Sequence, residues 1–339
     1  MDNVKKSQPK SGRDTLIETS MLRQIIFFIA SLFLTEVSFG QTSDFKIVTQ
    51  DVNNFWEAVD SLKNNTDTVQ VFQSLVLNRA TKEFQIFINK WNIKAKDYAY
   101  QLRQFPNFYK TLRQNTNRLI NSEDSIRRVI NQFKNIYPNF KPADICIALG
   151  NFKTGGNIEI TKNGQYVYVG LEYHGLDTST FIKELSLSTQ DYVSRSNFFR
   201  TIIHEIVHVQ QYTHGKKVKR AFYGNVLIKR VLGEGIPDFI AQLICSQGNN
   251  GNYFDYGIKN ENTLKNKLKS EMFLATNGNW FGEGKSYNDI PRDLGYFMGS
   301  RIARSFYLNK HLTKKAITDL IEIKDLEKFV VESKYFDEL

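Results

Sequence analysis

Two histidines and a glutamate at 204–208 (HEIVH) have the residue types and the spacing of a catalytic metal site. On a helix, residues four apart lie on the same face about one turn from each other, so the imidazoles of His204 and His208 can reach one metal ion. Glu205 follows the first histidine directly and can act as a general base beside that metal. The pattern predicts a zinc-dependent hydrolase.

The residues around this motif favour a buried helix. Apolar side chains recur through residues 198–211 at helical spacing, and a stripe of this width is typical of a helix that packs into a core. Imidazoles and a carboxylate in such a helix need partners, because an unpaired polar group in the interior is costly. The alternative is that His204 and His208 are core histidines bonded to carbonyls, with Glu205 paired to an arginine.

A second motif at 234–238 (EGIPD) weakens that alternative. A catalytic zinc keeps three protein ligands and an open position for water, and Glu234 is the best-placed third ligand. Asp238 lies four residues later, so a helix would present both carboxylates on one side. We expect Asp238 to accept the free N–H of a ligand histidine and so to orient it. The two motifs together predict one Zn²⁺ per chain, held by His204, His208 and Glu234.

HExxH followed by ExxxD resembles the gluzincins, the thermolysin-like metallopeptidases. The chain more closely resembles the bacterial family of predicted zinc-dependent proteases related to gliding-motility lipoprotein B, from about residue 50 to 330. The segments that carry this resemblance are YPNF at 137–140, IALGNFKTGG at 147–156, YVGLE at 168–172, HEIVHVQQ at 204–211, EGIPDF at 234–239 and DLGYFMGSRI at 293–302. The resemblance implies a peptidase-like zinc site and names no substrate. The chain differs from the lipoprotein relatives because no cysteine directly follows its signal segment.

Ahead of the predicted zinc helix, residues 143–173 change to strand character. Ile145, Ile147 and Leu149 alternate with other residues, and Asn163-Gly164 between two further runs is a strong hairpin signal. Most of the remaining chain shows helical spacing. The predicted fold class is therefore α+β, mostly helical, with a small antiparallel sheet ahead of the active-site helix.

The gluzincin resemblance implies an edge strand beside the metal, where an extended peptide can add by main-chain pairing. We expect the strand at 166–172 to take that place, so that Tyr168, Gly170 and Glu172 contact the substrate. The alternative is an ordinary sheet that packs on helices, and both descriptions can hold together.

A zinc peptidase also needs a hydrogen-bond donor for the tetrahedral oxyanion. Tyr296 is the candidate catalytic residue for this role, and His174 and His214 are further candidates. Each of them could equally be a polar residue without a catalytic role. Gly295 and Gly299 lie four apart on the same predicted helix, and this spacing predicts close packing against another helix.

Residues 21–40 have the pattern of a secretory signal peptide. Arg23 gives a short basic region, Ile25 to Leu34 is a run of ten apolar or small residues, and Ser38 to Gly40 resembles a cleavage site. Ten apolar residues are too few to span a bilayer, which needs about 20. We expect an exported mature protein that begins near Gln41, in the periplasm or outside the cell. The alternative is a membrane anchor formed by an uncleaved signal.

The 339-residue chain divides into an upstream extension with the signal peptide (1–40), an N-terminal helical region (41–142) and a metallopeptidase-like region (143–339). A net charge of +10 could favour anionic partners. The basic residues are scattered, however, and the chain has no zinc finger, RNA signature or recognition helix, which argues against nucleic-acid binding. Cys146 and Cys245 could pair in an oxidising compartment or remain free thiols.

The predicted function is that of an exported zinc metallopeptidase that acts on peptides or proteins, with Glu205 as general base and no stable membrane insertion after signal removal. One alternative is a non-hydrolytic zinc-containing protein of the cell envelope, with a binding or assembly role. An amidase that acts on cell-wall peptides is a third. The intact Glu205 favours hydrolysis, because a structural zinc site needs no base.

Overall fold

The computed structural model describes residues 45–337, except 64–66, 223, 246–251, 277–279 and 283–289. The signal-peptide prediction for residues 21–40 lies outside the described residues. Within the described residues, helices dominate, and one four-stranded sheet precedes the HExxH helix along the chain. The predicted α+β class is therefore confirmed.

The helices of the N-terminal region pack aromatic side chains into the core. They are α1 (Gln50–Asp60), α2 (Thr68–Phe72, continued by a π-helical turn at Gln73–Leu77), α3 (Lys82–Trp91), α4 (Ala95–Gln104), α5 (Pro106–Ile120) and α6 (Glu123–Ile136). Pro106 occupies the first position of α5. The N–H of a residue at this position makes no hydrogen bond inside the helix, so a proline, which has no N–H, fits there. The buried hydroxyl of Tyr98 donates to the carbonyl oxygen of Leu149 at 2.8 Å and so links α4 to the end of the sheet.

The sheet is mixed, and the prediction of a small antiparallel sheet is wrong in this detail. Its strands are β1 (Ile47–Val48), β2 (Asp144–Ala148), β3 (Gly156–Thr161) and β4 (Gly164–Gly170), in the spatial order β1-β2-β4-β3. Strands β1 and β2 are parallel, β2 and β4 are parallel, and only the hairpin of β3 and β4 is antiparallel.

The connections explain the mixed pairing. All of the helices from α1 to α6 lie between β1 and β2, and a connection of this length returns the chain in the same direction. After β2, the loop at 149–155 carries the chain past one strand position, so β3 forms the edge and β4 folds back between β3 and β2. The predicted hairpin at Asn163-Gly164 is confirmed, because Thr161 pairs with Gly164 at its closed end.

The rest of the described chain is helical and holds the motifs. Its helices are α7 (Leu171–His174), α8 (Leu187–Arg195), α9 (Phe198–Thr213), α10 (Lys216–Phe222), α11 (Leu227–Cys245), α12 (Asn252–Lys259), α13 (Glu261–Glu271), α14 (Leu294–Asn309), α15 (Lys314–Ile321) and α16 (Leu326–Glu332). The HExxH motif lies on α9, EGIPD lies on α11, and Tyr296 lies on α14.

Helices α11 and α14 cross at glycines. A Cβ atom added to Gly299 would lie 1.9 Å from the carbonyl oxygen of Val231, and one added to Gly235 would lie 2.3 Å from the main chain of Gly299. Main-chain atoms cannot move aside as the end of a side chain can, so this crossing requires both glycines. The predicted close packing is confirmed at Gly299, whereas Gly295 faces the ring of Phe281. The crossing brings α14 next to the second metal motif.

No helix in the described part of the chain combines the length and the apolar character that a membrane span requires. The two cysteines, one fully buried in β2 and one at the end of α11, are both free thiols. The change from helices to strands near residue 143 lies inside one compact unit, because β1 belongs to the same sheet as β2, β3 and β4.

Candidate metal centre and active site

Helix α9 presents both histidines of the HExxH motif on one face. The side chain of Asn197 caps its first turn by accepting the N–H of Arg200 at 3.1 Å, and the apolar face of the helix is buried against the sheet and α11. His204 and His208 lie at the edge of that buried face. Their rings meet edge to face, with centroids 4.7 Å apart. The local helix therefore suffices to bring the two predicted ligands together.

Glu234 of α11 completes a triangle of ligand atoms. The Nε2 atoms of His204 and His208 are 3.1 Å apart, and each lies 3.3 Å from Oε2 of Glu234. A tetrahedral zinc with bonds of about 2.0–2.1 Å separates its ligand atoms by roughly 3.3–3.4 Å. The three predicted ligands are thus spaced as a zinc ion requires, and among the described residues they are the one group of this kind.

The outer nitrogens of the two imidazoles are also engaged. Nδ1 of His204 lies 3.3 Å from Oδ1 of Asp238, as predicted for that carboxylate. Nδ1 of His208 lies 3.0 Å from Oε1 of Gln211, a residue that we did not single out from the sequence. When both Nδ1 atoms donate to oxygen, both Nε2 atoms keep their lone pairs. Two lone pairs and a carboxylate then converge on one point, which fits a cation.

The charges around this point favour a cation as well. Burial by itself lowers the pKa of His204, but bonds to Asp238 and Glu234 outweigh it and raise this pKa to about 10. Burial opposes the charge of Glu234, yet the two histidines hold its pKa well below the usual value. The same carboxylates that stabilise a proton on the imidazole stabilise a metal ion in its place.

Glu205 occupies the position of a general base. Its carboxylate lines the cleft, lies against β3 at Gly156, and makes no hydrogen bond or ion pair with any residue that the structure describes. Burial raises its pKa, and the two histidines act in the opposite direction. A carboxylate that is accessible from the cleft and has no protein partner can accept a proton from a water molecule.

The three predicted ligands His204, His208 and Glu234, here called the metal triangle, line a cleft of about 920 Å³. Its lining includes the edge strand β3, helices α8 and α9, and parts of α11 and α14. Tyr296 is among the lining residues, and its ring is stacked on that of His204 with an interplanar angle of 27° and centroids 6.2 Å apart. The Tyr296 hydroxyl forms no hydrogen bond within the described part of the chain. The structure therefore brings this predicted catalytic residue to the metal triangle.

The predicted substrate contacts on β4 are wrong. Tyr168 is fully buried on the interior strand and packs against Phe87 and Trp91 of α3. Gly170 pairs with Gly155 inside the sheet, and Glu172 is buried behind it. None of Tyr168, Gly170 and Glu172 lines the cleft. The reason is the strand order, which places β3 at the edge and β4 in the interior.

Glu172 has a structural task instead. Its Oε1 atom accepts the N–H of Phe152 at 3.4 Å, in a loop where Asn151 and Phe152 take positive φ angles. This loop leads directly into β3. Glu172 therefore holds the edge strand from behind the sheet rather than touching a substrate.

The burial of Glu172 predicts a pH-dependent stability. Burial raises its pKa to about 7, although bonds from the main chain of 150–152 act against the rise. The folded state holds this proton more tightly than the unfolded chain, whose glutamates titrate near 4.3, so the stabilisation is complete below about pH 4 and is lost as the pH rises to about 7. The free energy of unfolding should fall by roughly 3 kcal/mol across this range through Glu172 alone.

Denaturant unfolding between pH 4 and pH 8 measures this slope. The glutamine of Glu172→Gln does not titrate, so this variant should lack the part of the pH dependence that Glu172 causes. The control Glu159→Gln changes a partly exposed carboxylate and should keep that pH dependence. Parallel pH profiles for the wild type and Glu172→Gln would contradict the assignment.

The two further histidine candidates do not line the cleft. Nε2 of His174 lies 2.9 Å from the carbonyl oxygen of Gly155, and burial lowers the pKa of this histidine to about 4. His214 follows the last turn of α9 and faces Glu322 at 3.7 Å. Neither contacts the metal triangle, so neither can donate to a substrate there.

The edge strand β3 is the part of the site that sequence reasoning misplaced. Main-chain groups of every second residue in an antiparallel edge strand point away from its partner. Ile158 is one of these residues, because its carbonyl oxygen accepts Nζ of Lys90 at 2.9 Å and not a β4 group. Lys90 also bonds the side chains of Asn157 and Glu159. The edge therefore offers the N–H of Ile158 to the cleft.

Comparisons of the chain with protein-family models, with characterised proteins and with solved structures find no match. The function is therefore inferred from the geometry of this site and from the two motifs.

Proposed function

We propose that this protein is an exported zinc metallopeptidase that hydrolyses peptide bonds. The observation that carries the proposal is the triangle of His204, His208 and Glu234 with the unpartnered carboxylate of Glu205 beside it. The order HExxH then ExxxD, which resembles the gluzincins, supports the same assignment. Export is supported by the signal-like segment at 21–40.

The residues of the site divide the chemistry between them. A zinc ion on the three ligands would supply a Lewis acid for a water molecule and a substrate carbonyl. Glu205 accepts a proton from the attacking water at its carboxylate and passes it to the nitrogen of the departing amine. Asp238 keeps the proton of His204 on Nδ1 so that Nε2 faces inward.

Tyr296 is the proposed donor to the oxyanion. Its ring lies along His204 and its hydroxyl is free within the described residues, so the O–H can turn toward an oxygen that develops charge at the metal. Burial raises the pKa of Tyr296 well above its usual value, so the phenol keeps its proton. A neutral donor held in place is what oxyanion stabilisation requires.

The substrate is proposed to be an extended peptide paired with β3. Gly156 and Ile158 line the cleft, and the carboxylate of Glu205 lies against Gly156. An edge strand with an outward N–H binds the carbonyl of an added strand without regard to side chains. This replaces the predicted pairing at 166–172, because β4 is interior.

The test is the zinc content of the purified chain from Gln41 onward. We expect about one zinc in the wild type, with binding lost or strongly weakened in His208→Ala and Glu234→Ala. Matched controls are His214→Ala and Glu159→Ala, which remove a histidine beyond the motif and a cleft carboxylate that already pairs with Lys90. A folded wild type that takes up no zinc when zinc is supplied would contradict the proposal.

Cleavage of a peptide library by the zinc-loaded wild type separates the enzyme from the alternative of a non-hydrolytic envelope protein. Peptide-bond cleavage that stops when zinc is removed and returns when it is restored supports the peptidase. Zinc binding without any cleavage favours the binding or assembly role.

A further inference from the structure

The side chain of Gln211 lies against the second histidine of the metal triangle. Gln211 is three residues beyond His208 on α9, about one turn away, and is fully buried. Its Oε1 atom is 3.0 Å from Nδ1 of His208. Among the described residues no charged group contacts this nitrogen, so the two histidines are held differently: His204 by the carboxylate of Asp238 and His208 by a neutral amide.

The direction of the amide selects one tautomer of His208. With oxygen toward the ring, Nδ1 carries the proton and Nε2 keeps its lone pair for the triangle. With nitrogen toward the ring, the amide would donate to Nδ1 and the proton would move to Nε2, where a metal ion has to bind. The orientation in the structure is the one that leaves Nε2 free.

This orientation leaves the other end of the amide without a partner. Nε2 of Gln211 is buried and has no hydrogen-bond partner among the described residues, and a buried unpaired donor costs free energy. The neighbouring Gln210 is equally buried, but both of its ends are bonded: Oε1 accepts the N–H of Lys141 at 2.8 Å, and Nε2 donates to the carbonyl oxygen of Lys141 at 2.9 Å. The bonds of Gln210 therefore join helix α9 to the main chain of Lys141, whereas the bond of Gln211 goes to His208.

We propose that Gln211 is a positioning residue that fixes the tautomer and the ring orientation of His208 for metal binding. This inference rests on the zinc centre proposed above. A neutral acceptor suits this place, because Glu205, Glu234 and Asp238 already contribute three carboxylates around the triangle. A hydrogen bond of this kind to a ligand histidine is typically responsible for about 10–100-fold in metal affinity.

Zinc dissociation constants, measured by competition with a chelating indicator, test the proposal. Gln211→Met keeps the length and loses the acceptor, and it should bind zinc about 10–100-fold more weakly than the wild type. Gln211→Glu keeps an acceptor oxygen for Nδ1 of His208 and should bind zinc more tightly than Gln211→Met. Gln210→Met is the matched control: it should unfold more easily without zinc and keep the wild-type dissociation constant.

The visible spectrum of the cobalt-substituted protein gives a second reading that does not depend on activity. Gln211→Met should change the cobalt bands because the imidazole turns, whereas Gln210→Met should not. If Gln211→Met does not fold, Gln211→Asn, which withdraws the carbonyl by one methylene, has to show the same weakening. If the variant that folds, Gln211→Met or Gln211→Asn, binds zinc with wild-type affinity, the proposed role of Gln211 is overturned. If the wild type has no affinity for zinc, the proposed function itself is overturned.

Discussion

Replacing Glu205 with glutamine should lower kcat/KM for peptide hydrolysis by about 10²–10⁴-fold while the zinc content stays at the wild-type level. The carboxylate makes no hydrogen bond or ion pair with any described residue, so replacing it with an amide of the same size breaks none. Glutamine has nearly the same shape but cannot take a proton from water. The measurement is turnover of the library peptide that the wild type cleaves fastest, with zinc determined on the same sample.

The control for this variant is Glu159→Gln, which also alters a cleft carboxylate but one that pairs with Lys90 at 2.7 Å. It should change kcat/KM far less than Glu205→Gln. Wild-type turnover in zinc-loaded Glu205→Gln would remove Glu205 from the mechanism. Loss of zinc in that variant would instead show that the carboxylate serves the metal site.

Replacing Gly156 with alanine should displace the base without removing it. A Cβ atom at this position would lie 2.4 Å from Oε1 of Glu205 and 2.8 Å from Cγ2 of Thr201. The carboxylate is the end of a flexible side chain, so it turns away and the protein still folds. A displacement of about 1 Å in a reacting group can cost roughly 10²-fold in rate, and we expect a loss of that order. Kinetics, zinc content and thermal unfolding of the same preparation measure it.

Gly233→Ala is the matched glycine control. It lies one residue before the ligand Glu234, but its added Cβ would meet nothing closer than the carbonyl oxygen of Phe222 at 3.5 Å, an ordinary contact. Activity should be unchanged, and the helix should gain about 0.5–1 kcal/mol. If Gly156→Ala keeps full activity, the base does not act from the position against β3.

Both predictions depend on β3, which local patterns did not identify as the edge strand. The runs at 158–161 and at 166–171 on either side of Asn163-Gly164 predict two strands and their hairpin, and both are present. The alternation of apolar side chains does not indicate which of the two strands has a neighbouring strand on both sides. The strand order depends on the loop at 149–155, held by the buried Glu172, and on β2 taking the inner side of β4. Tyr168 and Glu172 were misplaced for this reason.

Local helix geometry determined more of the proposed metal site than of the wall of the cleft. His204 and His208 lie one turn apart on any helix, and Glu234 and Asp238 lie one turn apart on another. Whether the two pairs meet depends on how α9 and α11 pack, and the spacing of HExxH and ExxxD anticipated that they would. Gln211 also lies on α9, one turn after His208, and its position was readable from the spacing alone. Its burial and the direction of its amide were not.

The sequence by itself determined the elements of this protein and the identity of the residues proposed to hold a metal, because helix and strand periodicity and four-residue spacing depend only on neighbours along the chain. The tertiary structure alone decided which strand forms the wall of the cleft, how Tyr296 reaches His204, and which residue holds His208. These depend on contacts between residues far apart in the chain, such as the crossing of α11 and α14 at Gly235 and Gly299. Such contacts follow from the packing of the whole core, and the sequence of a single segment does not determine them.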